Sequence, residues 1–340
     1  MNISLLRVRS VVIRAMRQFF DEQGFLEMHT PRLVGLPGQE PYLEPFWTEV
    51  IEANGTKHPA ALITSPEYAM KRLLASGLDK IYDLGPCFRN HEPWDGTHDP
   101  EFLMIEWYRR DAGLDELLCD TEDMMRSVAH AHDATKNVFP DAFRRLTVRD
   151  AMKLYAHVEL DELLENRDAL ADVVRAHGQS VSDQDTWDDL FFKIFLSEVE
   201  PHLGWNDAHT AWQPTFLTHY PASMAALARK DAHDPRYALR VELYVGDLEL
   251  ANGFAELCDP VEQRKRFEEE RTLRASLGKP TWKLDEPFLE ALPRMGNAAG
   301  IAFGVERLVM LLANTASFTE IVPFSARERF SCQPKTSSSR

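Results

Sequence analysis

Cysteine is scarce. The four that occur, Cys87, Cys119, Cys258 and Cys332, form no C-x-x-C pair. That excludes a disulfide framework and a zinc ribbon and fits a reducing cytoplasm. Positive charge is equally short. Lys plus Arg number 38 against 54 Asp plus Glu, a formal net charge of −16. So acidic a chain speaks against broad binding to nucleic acid or to an anionic membrane. No stretch approaches the roughly 18 uncharged apolar residues of a membrane span. The N-terminus, Met1-Asn2-Ile3-Ser4-Leu5-Leu6-Arg7, lacks the apolar core and cleavage site of a secretion signal. No strand–glycine loop–helix unit marks a Rossmann or P-loop nucleotide site. No internal repeat and no Pro-rich or Gly/Ser-rich linker divides the chain. What is present is 340 residues, 44% hydrophobic and 27% charged, enough apolar content for a sizeable core.

Leu5, Val8, Val12, Ala15 and Phe19 recur at helical spacing. They predict an amphipathic helix over 5–22, with Gly24 just past its end. Residues 25–30 read as a short strand stopped by Pro31. Residues 35–60, rich in Gly and Pro, read as loop carrying a strand over 46–52. Thr64-Ser65-Pro66-Glu67 is a helix-start signal: Thr64 or Ser65 caps, Pro66 suits the first turn, and Gly77 closes the helix. Residues 81–84 and 102–108 have strand character, and the loop over 89–100 between them is polar and turn-forming. Residues 114–200 read mostly as helix, with one start at Thr147 and Asp150. Strands follow at 216–220, 240–245 and 248–254, the last two joined by a Gly246-Asp247 hairpin turn. Asp259-Pro260-Val261-Glu262 starts a charged helix in which Asp259 caps and Glu262 completes a capping box. A small-residue strand at 300–304 runs into a helix over 305–312. Strands near both ends with helices between read as α+β with a mainly antiparallel sheet flanked by helices. One domain over 1–325 and a disordered tail over 326–340 are expected.

Three glutamates, Glu242, Glu249 and Glu256, stand seven apart. The turn at Gly246-Asp247 folds Glu249 back beside Glu242, on the face opposite the core residues Val241, Leu243 and Val245. Two carboxylates in one place are a natural ligand pair for Mg²⁺ carrying a polyphosphate. Acids on a solvated hairpin face are the ordinary alternative. Glu256 follows Gly253, where the backbone can bend, and so lies further along the same cleft. Arg89, where a strand enters the polar loop, suits a phosphate that gathers charge in a transition state, or simply a surface ion pair. Arg307 lies in the first turn of a helix that follows a strand, where helix end and guanidinium both favour an anion. Gly304 before it equally permits close packing. Glu67 in a first turn is commonly only a dipole partner, and His98 is one of 12 histidines.

The order of these segments is more informative than any one of them. Gly24-Phe25-Leu26-Glu27-Met28-His29-Thr30-Pro31, then Phe88-Arg89, then Gly304-Val305-Glu306-Arg307-Leu308 resemble the three signature motifs of class II aminoacyl-tRNA synthetases. Thr64-Ser65-Pro66-Glu67-Tyr68, His98-Asp99-Pro100-Glu101-Phe102 and Glu249-Leu250-Ala251-Asn252-Gly253-Phe254-Ala255-Glu256-Leu257 with Asp259-Pro260 narrow the resemblance to the lysyl branch. It covers about residues 5–325. Lysyl-tRNA synthetases carry an N-terminal anticodon-binding domain, for which a motif 1 helix starting near residue 5 leaves no room. The chain therefore resembles the elongation factor P β-lysine ligase family. That resemblance implies a class II synthetase core in a cytoplasmic homodimer, with no anticodon binding and no membrane partner. It implies a ligase that uses ATP and Mg²⁺ to activate (R)-β-lysine or lysine as an adenylate. The product would be joined to a lysine side chain of elongation factor P. Residue by residue, it implies catalytic roles for Arg89 on the α-phosphate and Arg307 on the ATP tail. Ser65, Pro66, Glu67 and Tyr108 would contact the amino-acid substrate and Glu256 would bind its amino group. Nucleotide contacts would come from Arg89, Asn90, His91, Glu92, His98, Asp99, Glu249, Leu250, Gly304 and Arg307, with Phe102 stacking on adenine. Magnesium would sit on Glu242 and Glu249.

Two positions depart from the family pattern. The family reads Arg-Asn-Glu where this chain has Arg89-Asn90-His91, with Glu92 one place later and one extra residue in the loop. Glu92 can replace the missing adenine contact after a loop shift. The family's Asn before Pro-Glu-Phe is Asp99 here, an added negative charge that magnesium or a basic neighbour would have to offset. Other activities stay open: a truncated lysyl-tRNA synthetase paralogue charging tRNA or another acceptor, a synthetase for a different amino acid, and a non-catalytic regulatory paralogue. The last would be expected to lose the motif arginines, and both are present.

Overall fold

The computed structural model describes residues 2–135 and 138–331. Eleven strands lie among them: β1 (Leu26–Glu27), β2 (Leu33–Val34), β3 (Trp47–Ile51), β4 (Lys57–Leu62), β5 (Lys80–Phe88), β6 (Glu101–Arg110), β7 (Arg144–Thr147), β8 (Thr215–Pro221), β9 (Tyr237–Val245), β10 (Leu248–Ala255) and β11 (Ala298–Gly304). Eight of them form one sheet in the order β1-β5-β6-β11-β10-β9-β8-β7. Its two edge pairings are parallel and the five inner ones antiparallel. This is the α+β, mainly antiparallel architecture that the sequence predicts. The remaining strands form a small sheet in the order β2-β4-β3.

Alternation along each strand divides the large sheet into a core face and a site face. Ile105 and Trp107 on β6, Val241, Leu243 and Val245 on β9, and Ala299, Ile301 and Phe303 on β11 enter the main core. The helices Ile3–Glu22, Leu114–His132 and Val305–Ala313 close over that face through Val12, Met16 and Phe20, Leu117, Met124 and Val128, and Leu308 and Val309. Each such side chain, fully buried, contributes on the order of 1.5–3 kcal/mol. Asn2 starts the first helix by accepting from the Ser4 N–H at 3.1 Å.

The opposite face is covered only at its two ends. The helices Val148–Tyr155, Arg167–Ala176 and Trp187–Ile194 pack over Leu217, Tyr220 and Tyr244. The helices Glu67–Ala75 and Glu286–Met295 pack over Ile81 and Tyr108. Between these groups β11 turns Ala298, Gly300, Ala302 and Gly304 away from the core, and their small size leaves room for a cavity.

Several local expectations need correction. The strand expected over 25–30 is only Leu26–Glu27, paired with β5. Strands β4 and β7 and the helix Glu286–Met295 were not expected: β4 contains Pro59, β7 carries two arginines, and the helix contains Pro293. Long-range pairing and packing override these weak local propensities. Pro66 occupies the cap position of its helix, and the Ser65 hydroxyl accepts from the Glu67 N–H at 3.0 Å. Thr147 caps by accepting from Asp150, and Asp259 by accepting from Val261 and Glu262, as predicted. Glu262 does not close a capping box; its carboxylate pairs with Arg266 at 2.5 Å. The tail expected over 326–340 begins as a helix, Ala326–Ser331. The rest of it, 332–340, lies outside the described residues.

Candidate active site

The cavity on the site face has a volume of about 300 Å³. Its floor is the centre of the sheet, β6, β10 and β11, and loops 35–46 and 89–100 contribute to its walls. Glu67 and Glu106 stand at one end, and the arginines Arg89 and Arg307 stand at the other, with Glu249 beside Arg307.

The acidic end is built on the helix start predicted at Thr64-Ser65-Pro66-Glu67. The Ser65 hydroxyl donates to Glu106 Oε1 at 2.5 Å, and the Tyr108 hydroxyl donates to Glu106 Oε2 at 2.8 Å. One turn into the helix lies Lys71, 2% exposed. Its ammonium is 2.5 Å from Glu67 Oε1 and 2.6 Å from Glu256 Oε2. Burial works against that charge, but Glu256 and Glu67 outweigh it and hold the Lys71 pKa above its usual value. Glu106 is pushed up to about 8 by burial and by Glu67. Glu256, 1% exposed, is pushed up to about 8, chiefly by burial and then by Glu67, with Lys71 pulling the other way. The one ammonium pairs with Glu67 and Glu256 and leaves Glu106 without a cation, so the pocket is short of positive charge.

Ser65, Glu67 and Glu106 line the cavity. Tyr108 and Glu256 stand deeper, against Gly300: a Cβ there would lie 2.1 Å from the Tyr108 ring and 2.8 Å from Glu256 Oε1. Pro66 faces a small side pocket instead. Glu106 was not singled out from sequence, although period-two alternation from Tyr108 puts it on the same face. Lys71 was also missed; its i,i+4 spacing from Glu67 was the available signal.

At the other end, the Arg89 guanidinium lies 5.2 Å from the centroid of the Phe102 ring. Its Nε is buried with no hydrogen-bond partner. Arg307 sits in the first turn of the helix capped by Gly304. It donates to the Glu249 carbonyl, and its Nη2 is 3.2 Å from His98 Nε2. Phe102, His98, Leu250 and Gly304 line the cavity.

The hairpin turn forms at Gly246-Asp247, and Glu249 lies opposite Tyr244 while Asn252 lies opposite Glu242. A bulge between Glu249 and Ala251 lets Glu249 and Asn252, three apart, share a face. Glu242 and Glu249 therefore stand on one face but not directly across from each other. Glu249 lines the cavity and is pushed up to about 7 by burial and by Glu242. A cation beside it would relieve that charge, so Glu249 fits a magnesium ligand. Glu242 does not offer an open oxygen: one pairs with Arg240, and the other accepts from the hydroxyls of Tyr220 and Tyr244. Among the described residues no cluster of three or more His, Cys, Asp or Glu could hold a metal by itself. A divalent cation here would need phosphate oxygens to complete its shell.

The loop over 89–100 resolves both departures. His91 has φ of 60° and is exposed, and neither it nor Asn90 lines the cavity. The left-handed kink at His91 brings Glu92 into the cavity wall. Asp99 is buried and neutralised: Arg329 Nη2 is 2.7 Å from its Oδ1, and its Oδ2 accepts from the Ala326 N–H at 2.7 Å. The negative charge expected near the nucleotide is thus taken up by the C-terminal helix.

The class II tRNA synthetase family (D, K and N) matches residues 2–328. "Elongation factor P--(R)-beta-lysine ligase" of Hamiltonella defensa subsp. Acyrthosiphon pisum (strain 5AT) is 36% identical over 326 residues, 95% of each chain. The proteins of that name from Proteus mirabilis (strain HI4320) and Pectobacterium carotovorum subsp. carotovorum (strain PC1) are 34% and 35% identical, again over 95% of each chain. Among the described residues no helix is long and apolar enough to cross a membrane.

Proposed function

The chain belongs to the class II tRNA synthetase family and, within it, to the elongation factor P (R)-β-lysine ligases, and from that membership we propose the following reaction. ATP activates (R)-β-lysine, or lysine, as an aminoacyl adenylate, whose acyl group passes to a lysine side chain of elongation factor P in the cytoplasm. One observation carries the choice of substrate class: the closed end of the cavity holds Glu67, Glu106 and Glu256 with only Lys71 among them. With all three ionised the group carries a net charge of about −2, which the far ammonium of lysine or β-lysine offsets in part and an amino acid without one does not.

The carboxylate of the substrate attacks the α-phosphorus of ATP, and pyrophosphate leaves. Arg89 stabilises the charge that spreads over the α-phosphate, and Arg307 that on the departing tail. Phe102 and Glu92 receive the adenine. Glu249 would hold Mg²⁺, which when bound offsets phosphate charge; Glu242, anchored by Arg240 and two tyrosines, supplies negative field beside it. No protein nucleophile is required, so rate comes from positioning and electrostatics. In the second half, an unprotonated ε-amine of the acceptor attacks the adenylate carbonyl, an amide forms, and AMP leaves.

The test has two parts. Purified protein should exchange pyrophosphate into ATP with (R)-β-lysine or lysine. Mass spectrometry of elongation factor P incubated with enzyme, ATP and β-lysine should show one added lysyl unit on a single lysine. Efficient charging of tRNA with elongation factor P left unmodified would overturn the acceptor assignment.

A further inference from the structure

Glu40 stands in the cavity wall on a loop that no sequence motif marks. We propose that it binds the substrate amine nearest the carboxyl group, and so reads the position of that amine. This rests on the activation reading above.

The charges around Glu40 place it along the cavity. Glu67, Lys71 and Arg89 are the charged groups that act on it, and Glu67 and Arg89 share the cavity lining with it. Those that act on Glu256 are Lys71, Glu67 and Glu106, all at the acidic end. A linear substrate with its carboxyl at Arg89 and its far ammonium at the acidic end passes Glu40 between the two. The amine that meets it is the one beside the carboxyl, whose attachment distinguishes α- from β-lysine.

The loop is built to hold this side chain. Arg274, 1% exposed, donates to the carbonyls of Glu40, Pro41 and Leu43 at 3.1, 3.3 and 2.7 Å. On the other side of Glu40, the Gln39 N–H donates to the Tyr68 hydroxyl at 3.2 Å, and Trp282 Nε1 donates to the Pro37 carbonyl at 3.2 Å. Gly38 leaves the space: a Cβ there would lie 2.1 Å from Glu40 Oε2. Among the described residues no cation pairs with the Glu40 carboxylate, and no side chain donates a hydrogen bond to it. Burial, then Glu67, pushes its pKa up to about 7, as befits a carboxylate awaiting a cation.

The test is pyrophosphate exchange with (R)-β-lysine, lysine and 6-aminohexanoate, which keeps the carboxyl and the far amine but lacks the near one. Wild type should prefer at least one diamine to 6-aminohexanoate. Glu40→Gln should raise KM for the preferred diamine about 10- to 100-fold, the scale of a lost hydrogen bond to a charged group. KM for 6-aminohexanoate and for ATP should change less than about twofold on the same reasoning. Gly38→Ala, which displaces the carboxylate without removing it, should shift selectivity the same way, and it decides the matter if Glu40→Gln fails to fold. Glu256→Gln should instead weaken all three amino acids. Equal loss on all three in Glu40→Gln, or an unchanged preference, overturns the assignment. No exchange by wild type with any of the three overturns the activation reading, and this proposal with it.

Discussion

Arg329 grips Asp99 across the whole length of the domain: the two are 230 residues apart in sequence and 2.7 Å apart in space. Asp99 ends the loop that carries Glu92 and His98 into the cavity, and Arg329 lies on the last described helix. The pair fastens that loop to the C-terminal segment, and Arg327 adds a bond to the Trp94 carbonyl at 3.1 Å.

Arg329→Ala should therefore destabilise the protein by about 2 kcal/mol, because it leaves a buried carboxylate without its cation. In an Asp99→Asn background the same substitution should cost much less. Denaturant unfolding of the two single variants and the double variant measures the coupling. Equal costs in both backgrounds would show the pair to be incidental.

Arg89→Ala and Arg307→Ala should each lower pyrophosphate exchange by about 10²-fold or more, the scale of removing a donor aimed at developing charge. The buried, unpartnered Nε of Arg89 is the structural ground for expecting the larger effect there. Near-normal rates in both variants would reject their roles.

Stability should fall with rising pH in the free protein. Glu40 and Glu249 are held near pH 7, and Glu106 and Glu256 near 8, all above the ordinary value of 4.5. Raised carboxylates favour the fold while protonated, so their contribution is full below about pH 4.5 and is lost as pH climbs through about 7 to 8. A diammonium substrate favours the ionised forms. Its binding should release protons, and its stabilising effect should grow between about pH 6 and 8. Melting curves with and without lysine, and calorimetry in two buffers of different ionisation enthalpy, test both signs. Proton uptake on binding would contradict the charge assignment of the pocket.

The chain should form a two-fold dimer. Leu26 is exposed on β1 beside the first helix, and Leu33, Trp47 and Ile51 are exposed on the small sheet, apolar surface that a symmetric contact would cover. Light scattering should give about twice the chain mass of 38.9 kDa. Ile51→Glu should shift the mass toward one chain. A wild-type mass of a single chain at micromolar concentration would exclude the dimer.

Periodicity and end signals carry a large part of this protein by themselves. The first helix, the Gly246-Asp247 turn, the caps at Thr147 and Asp259, and the core face of β9 follow from side-chain spacing and short-range hydrogen bonding. These are properties of a few consecutive residues, and they survive whatever the rest of the chain does. Arg89, Arg307 and Glu67 stand out in the sequence through the order of their motifs, since charge at an element boundary is ordinary by itself, and the fold brings all three to one cavity.

Tertiary structure decided what depends on partners far away in sequence. Glu40 lies in a loop without period, held at the cavity wall by Arg274, which donates to its carbonyl, and by the neighbouring Gln39 N–H, which donates to the Tyr68 hydroxyl. Glu92 rather than His91 lines the cavity because one left-handed residue turns the loop, a choice that no composition reveals. Glu242 is closed off by Arg240 and Tyr244, two residues away on its own strand, and by Tyr220, which the pairing of β8 with β9 brings over it. Whether a buried acid is an open ligand, a paired anion or a proton store depends on the charges within a few ångströms of it. Those distances are set by the fold, not by position along the chain.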